Sequence, residues 1–159
     1  MIALEPEENR SERTRRVEEA RAHGEAHRAP GGVGWTELHV VPPPPVRIAI
    51  RKLTLDALCD VIGPSWRRAA KLVTGYSTHR EDVVAGYAFV LDEGPAIYGR
   101  TSDLIITQIN VIDAAGSAAS ALHRLGARFH LVLCDLWSDQ IVELASPQAV
   151  AGYLASLDE

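Results

Sequence analysis

His23 and His27 lie one helical turn apart, the spacing that brings two imidazoles to one helix face, where they can ligate a metal. A helical zinc hydrolase needs a glutamate directly after the first histidine. Here Gly24 occupies that position, and Glu25 points away. No third ligand is evident nearby, so both are read as solvated surface histidines and no metal is expected. His130 and Cys134 would share one face of a strand, roughly 13 Å apart, which is too far for a base to activate a thiol. Cys134 is therefore read as a small core residue. Ser120 and His123 meet on a helix face without an orienting acid, and make no nucleophilic triad. Arg80, Arg100 and Arg128 are the cations that a small anion could use.

Asp113-Ala-Ala-Gly-Ser117 follows an apolar run and opens a helix. Backbone amides at such a turn, with the helix dipole behind them, can hold an anion, with Asp113, Gly116 and Ser117 as the phosphate loop. With the helix and GARFHLVLCD that follow, the stretch resembles the ribose-phosphate loop of type I phosphoribosyltransferases. That family carries two adjacent acids before the loop, where this chain has Ile109 and Asn110. The same stretch is also an ordinary helix start.

Apart from His23 and His27, these residues sit in or beside a block spanning residues 83–137, which holds most of the strand-forming sequence. Val83–Leu91 and Ile97–Ile112 are apolar runs on either side of Asp92-Glu93-Gly94-Pro95, so a hairpin is the economical connection. Asp113 is expected to cap a helix that runs to Leu125 and stops at Gly126. Phe129–Trp137 reads as a strand, Ile141–Leu144 pairs back onto it, and Ser146-Pro147 starts a closing helix. Upstream, Leu53–Ile62 reads as a helix capped by Thr54 and ended by Gly63-Pro64. Trp35–Val41 and Val46–Ile50 read as short strands around Pro42–Pro45, a stiff polyproline rod acting as a spacer. Ser65–Val73 is helix or part strand, and Gly75–Asp82 is a loop.

Within the hairpin, LDEGPAIYGRT at residues 91–101 resembles the turn and second strand of the chorismate lyase family. The effector-binding domains of GntR-type regulators carry a similar hairpin. The resemblance implies a site for an aromatic or cyclic carboxylate and, in the enzymes, loss of pyruvate from chorismate without a cofactor. Arg100, Arg128 and His130 are then the expected ligand-binding residues, with Arg100 and Glu143 the candidates for catalysis. The family's arginine at the start of the first hairpin strand falls on Ala85. Losing that cation makes binding a better expectation than turnover.

A chain of 159 residues with 47% hydrophobic residues can bury a core as a single domain. Its net charge of -5 argues against gripping nucleic acid, and no apolar run approaches a membrane span. Two cysteines make no disulfide framework, and the charged start shows no signal peptide, so a cytoplasmic protein is expected. Residues 1–34 are charged with little to bury, and are expected as a disordered or loosely helical arm before an α+β domain at 35–159. That domain is expected to be an antiparallel sheet centred on the hairpin, with helices on one face. The function expected first is binding of a small anionic metabolite; the alternatives are a non-enzymatic interaction or assembly protein that forms homo-oligomers, and a phosphoribosyltransferase-like phosphate binder.

Overall fold

The structure is a computed structural model and describes residues 2–32, 34, 36–37, 43–72, 81–82, 86–92, 94–135 and 137–157. In chain order the elements are β1 (Ile2–Pro6), α1 (Arg10–Ala26), α2 (Leu55–Ile62), β2 (Trp66–Arg68), β3 (Lys71–Leu72), β4 (Glu81–Asp82), β5 (Gly86–Leu91), β6 (Ala96–Ser102), β7 (Ile105–Ile112), α3 (Ala119–Phe129), β8 (Leu131–Asp135), β9 (Gln140–Glu143) and α4 (Pro147–Ser156). Seven strands form one sheet in the order β2-β5-β6-β7-β1-β8-β9, and every pairing among the described residues is antiparallel. The α+β architecture and the central hairpin are as expected. Phe89 opposes Ile97 and Ala88 opposes Tyr98 across the turn.

Residues opposed in register share a face of the sheet. One face carries Leu4, Phe89, Ile97, Val111 and Leu133, and α2, α3 and α4 pack on it through Leu58, Leu122, Leu125 and Leu154, all buried. Each such side chain contributes about 1.5–3 kcal/mol on leaving water, so this face is the main source of stability. The opposite face carries Glu5, Tyr98, Arg100, Gln108, Asn110 and Cys134. Here α1 lies across one half, while Leu72 of β3 packs with Ala88 and Ala96 over the other.

Local sequence accounts for most element ends. Thr54 Oγ1 accepts from the Ala57 N–H at 3.2 Å to start α2, and Gly63 with φ of 90° ends it. Ser146 Oγ accepts from Ala149 N–H at 3.2 Å, with Pro147 in the first turn of α4.

Four expectations change. The N-terminal arm is ordered: Ile2–Pro6 sits between β7 and β8 inside the sheet, and Arg10–Ala26 is a continuous helix. Ile97–Ile112 is two strands, because Asp103 and Leu104 both adopt positive φ (50° and 66°) and turn the chain. Val46–Ile50 is not a strand; Ile48–Arg51 forms a 3-10 turn. Asp113 makes no cap, α3 is preceded by a 3-10 turn at Gly116–Ala118, and the helix passes Gly126 to end at His130 in the left-handed region. Gly126 is there for packing: a Cβ would sit 2.2 Å from Leu144 Cβ. The stretch 65–73 resolves as strand at Trp66–Arg68 and Lys71–Leu72. Most of 35–41, Pro42, and residues 73–80 and 83–85 lie outside the described residues, so the strand expected at Trp35–Val41 falls there too.

Candidate functional site

Glu5, Asn9 and Arg13 are spaced by four, and all three are buried where α1 meets the sheet. Arg13 Nε donates to Glu5 Oε2 at 2.9 Å, and its Nη2 donates to Glu5 Oε1, a two-pronged charged pair. Asn9 Nδ2 donates to Glu5 Oε2 at 3.2 Å. The same amide grips the Val46 peptide from both sides, donating to its carbonyl at 2.8 Å and accepting from its N–H at 3.0 Å. Arg13 thus neutralises Glu5, and Asn9 anchors the chain that emerges from the proline run against the open face of the sheet.

Between that anchored segment and β6, β7 and β1 lies a groove of ≈ 770 Å³. Pro43, Pro44 and Val46 supply apolar wall, while Arg100, Gln108 and Asn110 come from the sheet and Arg47 from the anchored segment. A β-bulge at Arg100/Thr101 sets this arrangement, because the extra residue, Thr107, bends β7 and donates from Oγ1 to the Arg100 carbonyl at 3.2 Å. The bulge also shifts the parity of β7, so Ile106 and Ile109, three apart, both reach the core. Gln108 Nε2 donates to Asn110 Oδ1 at 3.4 Å. Neither the Arg47 nor the Arg100 side chain has a hydrogen-bond or ion-pair partner among the described residues. An apolar-walled groove with two free guanidiniums and two side-chain amides can hold a small carboxylate through charge-assisted hydrogen bonds.

The expected site residues are not gathered in one place. Arg100 lines the groove; Arg128 is exposed in the last turn of α3, a helix packed on the other face of the sheet. His130 follows it, its Nδ1 3.5 Å from Glu7 Oε1, and its carbonyl accepts from the Glu7 N–H at 2.9 Å. Glu143 lies on the edge strand β9, paired with Arg10 at 3.1 Å. Four strand spacings separate β6 from β9, so Glu143 is about 19 Å across the sheet from Arg100. Asp113, Gly116 and Ser117 are exposed at a turn off an antiparallel sheet, whereas a phosphoribosyl site uses the C-terminal edge of parallel strands. Arg80 and Ala85 lie outside the described residues.

The nucleophile candidates are also engaged elsewhere. Cys134 is buried, and burial together with the nearby Glu5 charge pushes its thiol up to about 12. His123 Nδ1 is 3.0 Å from the Leu144 carbonyl, and Ser120 Oγ accepts from Arg124 Nη1 at 2.6 Å. Gln108, Asn110, Arg47 and the Glu5–Asn9–Arg13 ladder went unread in the sequence, although the four-residue ladder and an asparagine inside an apolar strand were visible signals. Glu37 was missed too: the donor atoms of His23, His27 and Glu37 all lie within 4.8 Å of one another. No helix among the described residues is long and apolar enough to cross a membrane. In comparisons with protein-family models, curated proteins and solved structures, none matches this chain.

Proposed function

We propose that the protein binds a small anionic metabolite, an aromatic or cyclic carboxylate, in the groove between the Pro43–Val46 segment and the open face of the sheet. The observation that carries this reading is the pair of guanidiniums, Arg47 and Arg100, unpartnered among the described residues and lining an apolar-walled cleft of ≈ 770 Å³. A carboxylate would exchange water for charge-assisted hydrogen bonds, with the ring against the prolines. The chorismate-lyase-like stretch at 91–101 supports the same ligand class, since Arg100 belongs to it. Binding is favoured over turnover. Elimination needs an acid at the departing enol, and the lining acid, Glu5, is held by Arg13 while Glu143 is across the sheet. A cytoplasmic location fits the two free cysteines, one of them exposed.

The test is a thermal-shift titration with 4-hydroxybenzoate, chorismate and phosphoribosyl pyrophosphate. The first two are expected to raise Tm with concentration, and Arg100→Ala to abolish the rise without lowering the ligand-free Tm. No rise with either carboxylate, or an equal rise in the variant, contradicts the proposal.

A further inference from the structure

We propose that His23, His27 and Glu37 form a site for one divalent transition metal of the zinc class, which staples Glu37 to the end of α1. His23 lies in the last turn of α1 and His27 caps its end, with imidazoles stacked at a centroid distance of 4.3 Å and an interplanar angle of 25°. Two ligands from one helix turn and a third returning from a following loop is an economical way to build a three-ligand site.

The backbone already makes the return. The His27 carbonyl accepts from Thr36 N–H at 2.8 Å and from Thr36 Oγ1 at 3.1 Å. Ala29 N–H donates to the Gly34 carbonyl at 3.1 Å, and Gly32 N–H to the Ala29 carbonyl at 3.0 Å. Gly31, Gly32 and Gly34 adopt φ of 90°, 77° and 85°, which only glycine takes at little cost, so the tight turn depends on them. Glu37, the residue after Thr36, is delivered with its Oε2 3.5 Å from His27 Nδ1. The chain entropy of bringing the third ligand in is thereby met before any metal arrives.

Donor chemistry selects the ion. Two imidazoles and one carboxylate suit zinc, cobalt, nickel or copper, whereas calcium and magnesium prefer all-oxygen shells. Tetrahedral bonds of about 2.0–2.1 Å place ligand atoms about 3.3 Å apart. The donors lie within 4.8 Å of one another, so they need close by no more than about 1.5 Å to reach that spacing. His27 and Glu37 are 38% and 63% exposed, which leaves room for this motion and for water in the fourth position.

The test is calorimetric titration of tag-free full-length protein with zinc alone, repeated with cobalt to read its visible ligand-field bands. Cys59→Ser serves as background to remove the exposed thiol. One metal per chain is expected, with a rise in Tm. Losing even an outer-shell partner of a metal site costs about 10–100-fold in affinity, so His23→Ala, His27→Ala and Glu37→Gln should each weaken binding at least as much. His130→Ala, remote from the site, should bind as the parent does. Circular dichroism of each metal-free variant should show no loss of helix, because alanine favours the helix more than histidine and Glu37 lies outside α1. Three outcomes overturn the proposal: no stoichiometric binding, binding unaffected by these substitutions, or loss with the histidines but not with Glu37→Gln.

Discussion

Arg13 and Glu5 show how a buried charge can be tolerated at the edge of a core. Their side chains are each 8% exposed and joined by two hydrogen bonds, with Asn9 taking a further acceptor site. Removing one partner leaves the other uncompensated, so Arg13→Met should lower unfolding free energy by about 3–5 kcal/mol in urea titration. The double change Glu5→Leu with Arg13→Met should cost less than the single one. Asp135 is a second buried acid. Burial pushes its pKa up, but hydrogen bonds from Ser138 Oγ (2.7 Å), the Trp137 N–H (2.9 Å) and Tyr153 OH (3.1 Å) outweigh burial and hold it below the ordinary value. The folded state therefore binds this proton less readily than the unfolded chain. Its contribution is fully present above about pH 4, the usual aspartate range, and is lost as pH falls through the depressed value. Asp135→Asn should cost about 1–3 kcal/mol at pH 7, and the gap from wild type should narrow at pH 3, measured by denaturant titration at both. Residue identity made Cys134 legible as a core thiol. It did not reveal Glu5, because a glutamate beside a charged helix looks like any solvated acid until the strand that buries it is placed.

Elements were legible where a local signal sufficed. The Thr54 cap, the Gly63 stop and the Ser146-Pro147 start each act through neighbours within a few residues. The signal failed where long-range pairing decided the outcome. IALEP is too short to argue for a strand alone, yet it has β7 on one side and β8 on the other, so both its edges are hydrogen-bonded. The turn between β6 and β7 hid for a different reason. A two-residue hairpin loop with positive φ at both positions normally carries Asn-Gly, and here it is Asp103-Leu104, with Leu104 81% exposed. An L-residue with a side chain costs roughly 1–2 kcal/mol in the left-handed region, so Leu104→Gly should stabilise by about 0.5–1 kcal/mol after the entropy of a freer unfolded chain. Thermal and urea unfolding would check this; destabilisation would mean that the exposed leucine makes a contact worth more than the strain. Gly126 marks the limit of punctuation rules: glycine stops many helices, but here it lets α3 approach the Leu144 backbone, where a Cβ would meet the carbonyl carbon at 2.5 Å.

At the scale of the molecule, one sheet does two jobs. One face is closed by α2, α3 and α4 and holds the fold together, leaving the groove to form on the face that carries α1. Its outermost strands, β2 and β9, are three and four residues long and present Arg67, Arg68 and Glu143, features that discourage edge-to-edge pairing. The antiparallel sheet and the hairpin were readable from alternation and turn residues. The groove was not, because its walls come from Pro43–Val46, β6, β7 and the N-terminal strand, segments that only the folded topology brings together. Against an overall charge of -5, two arginines without a side-chain partner among the described residues make one cleft a local reversal of sign. The most direct test is a nitrogen-15 NMR titration with 4-hydroxybenzoate, observing side-chain as well as backbone groups. Progressive, saturable shifts are expected at Arg100 and Arg47 Nε–H and at the Gln108 and Asn110 side-chain amides, with Arg128 and His130 unmoved; no shift at millimolar ligand, or shifts centred on the end of α3, would contradict the account.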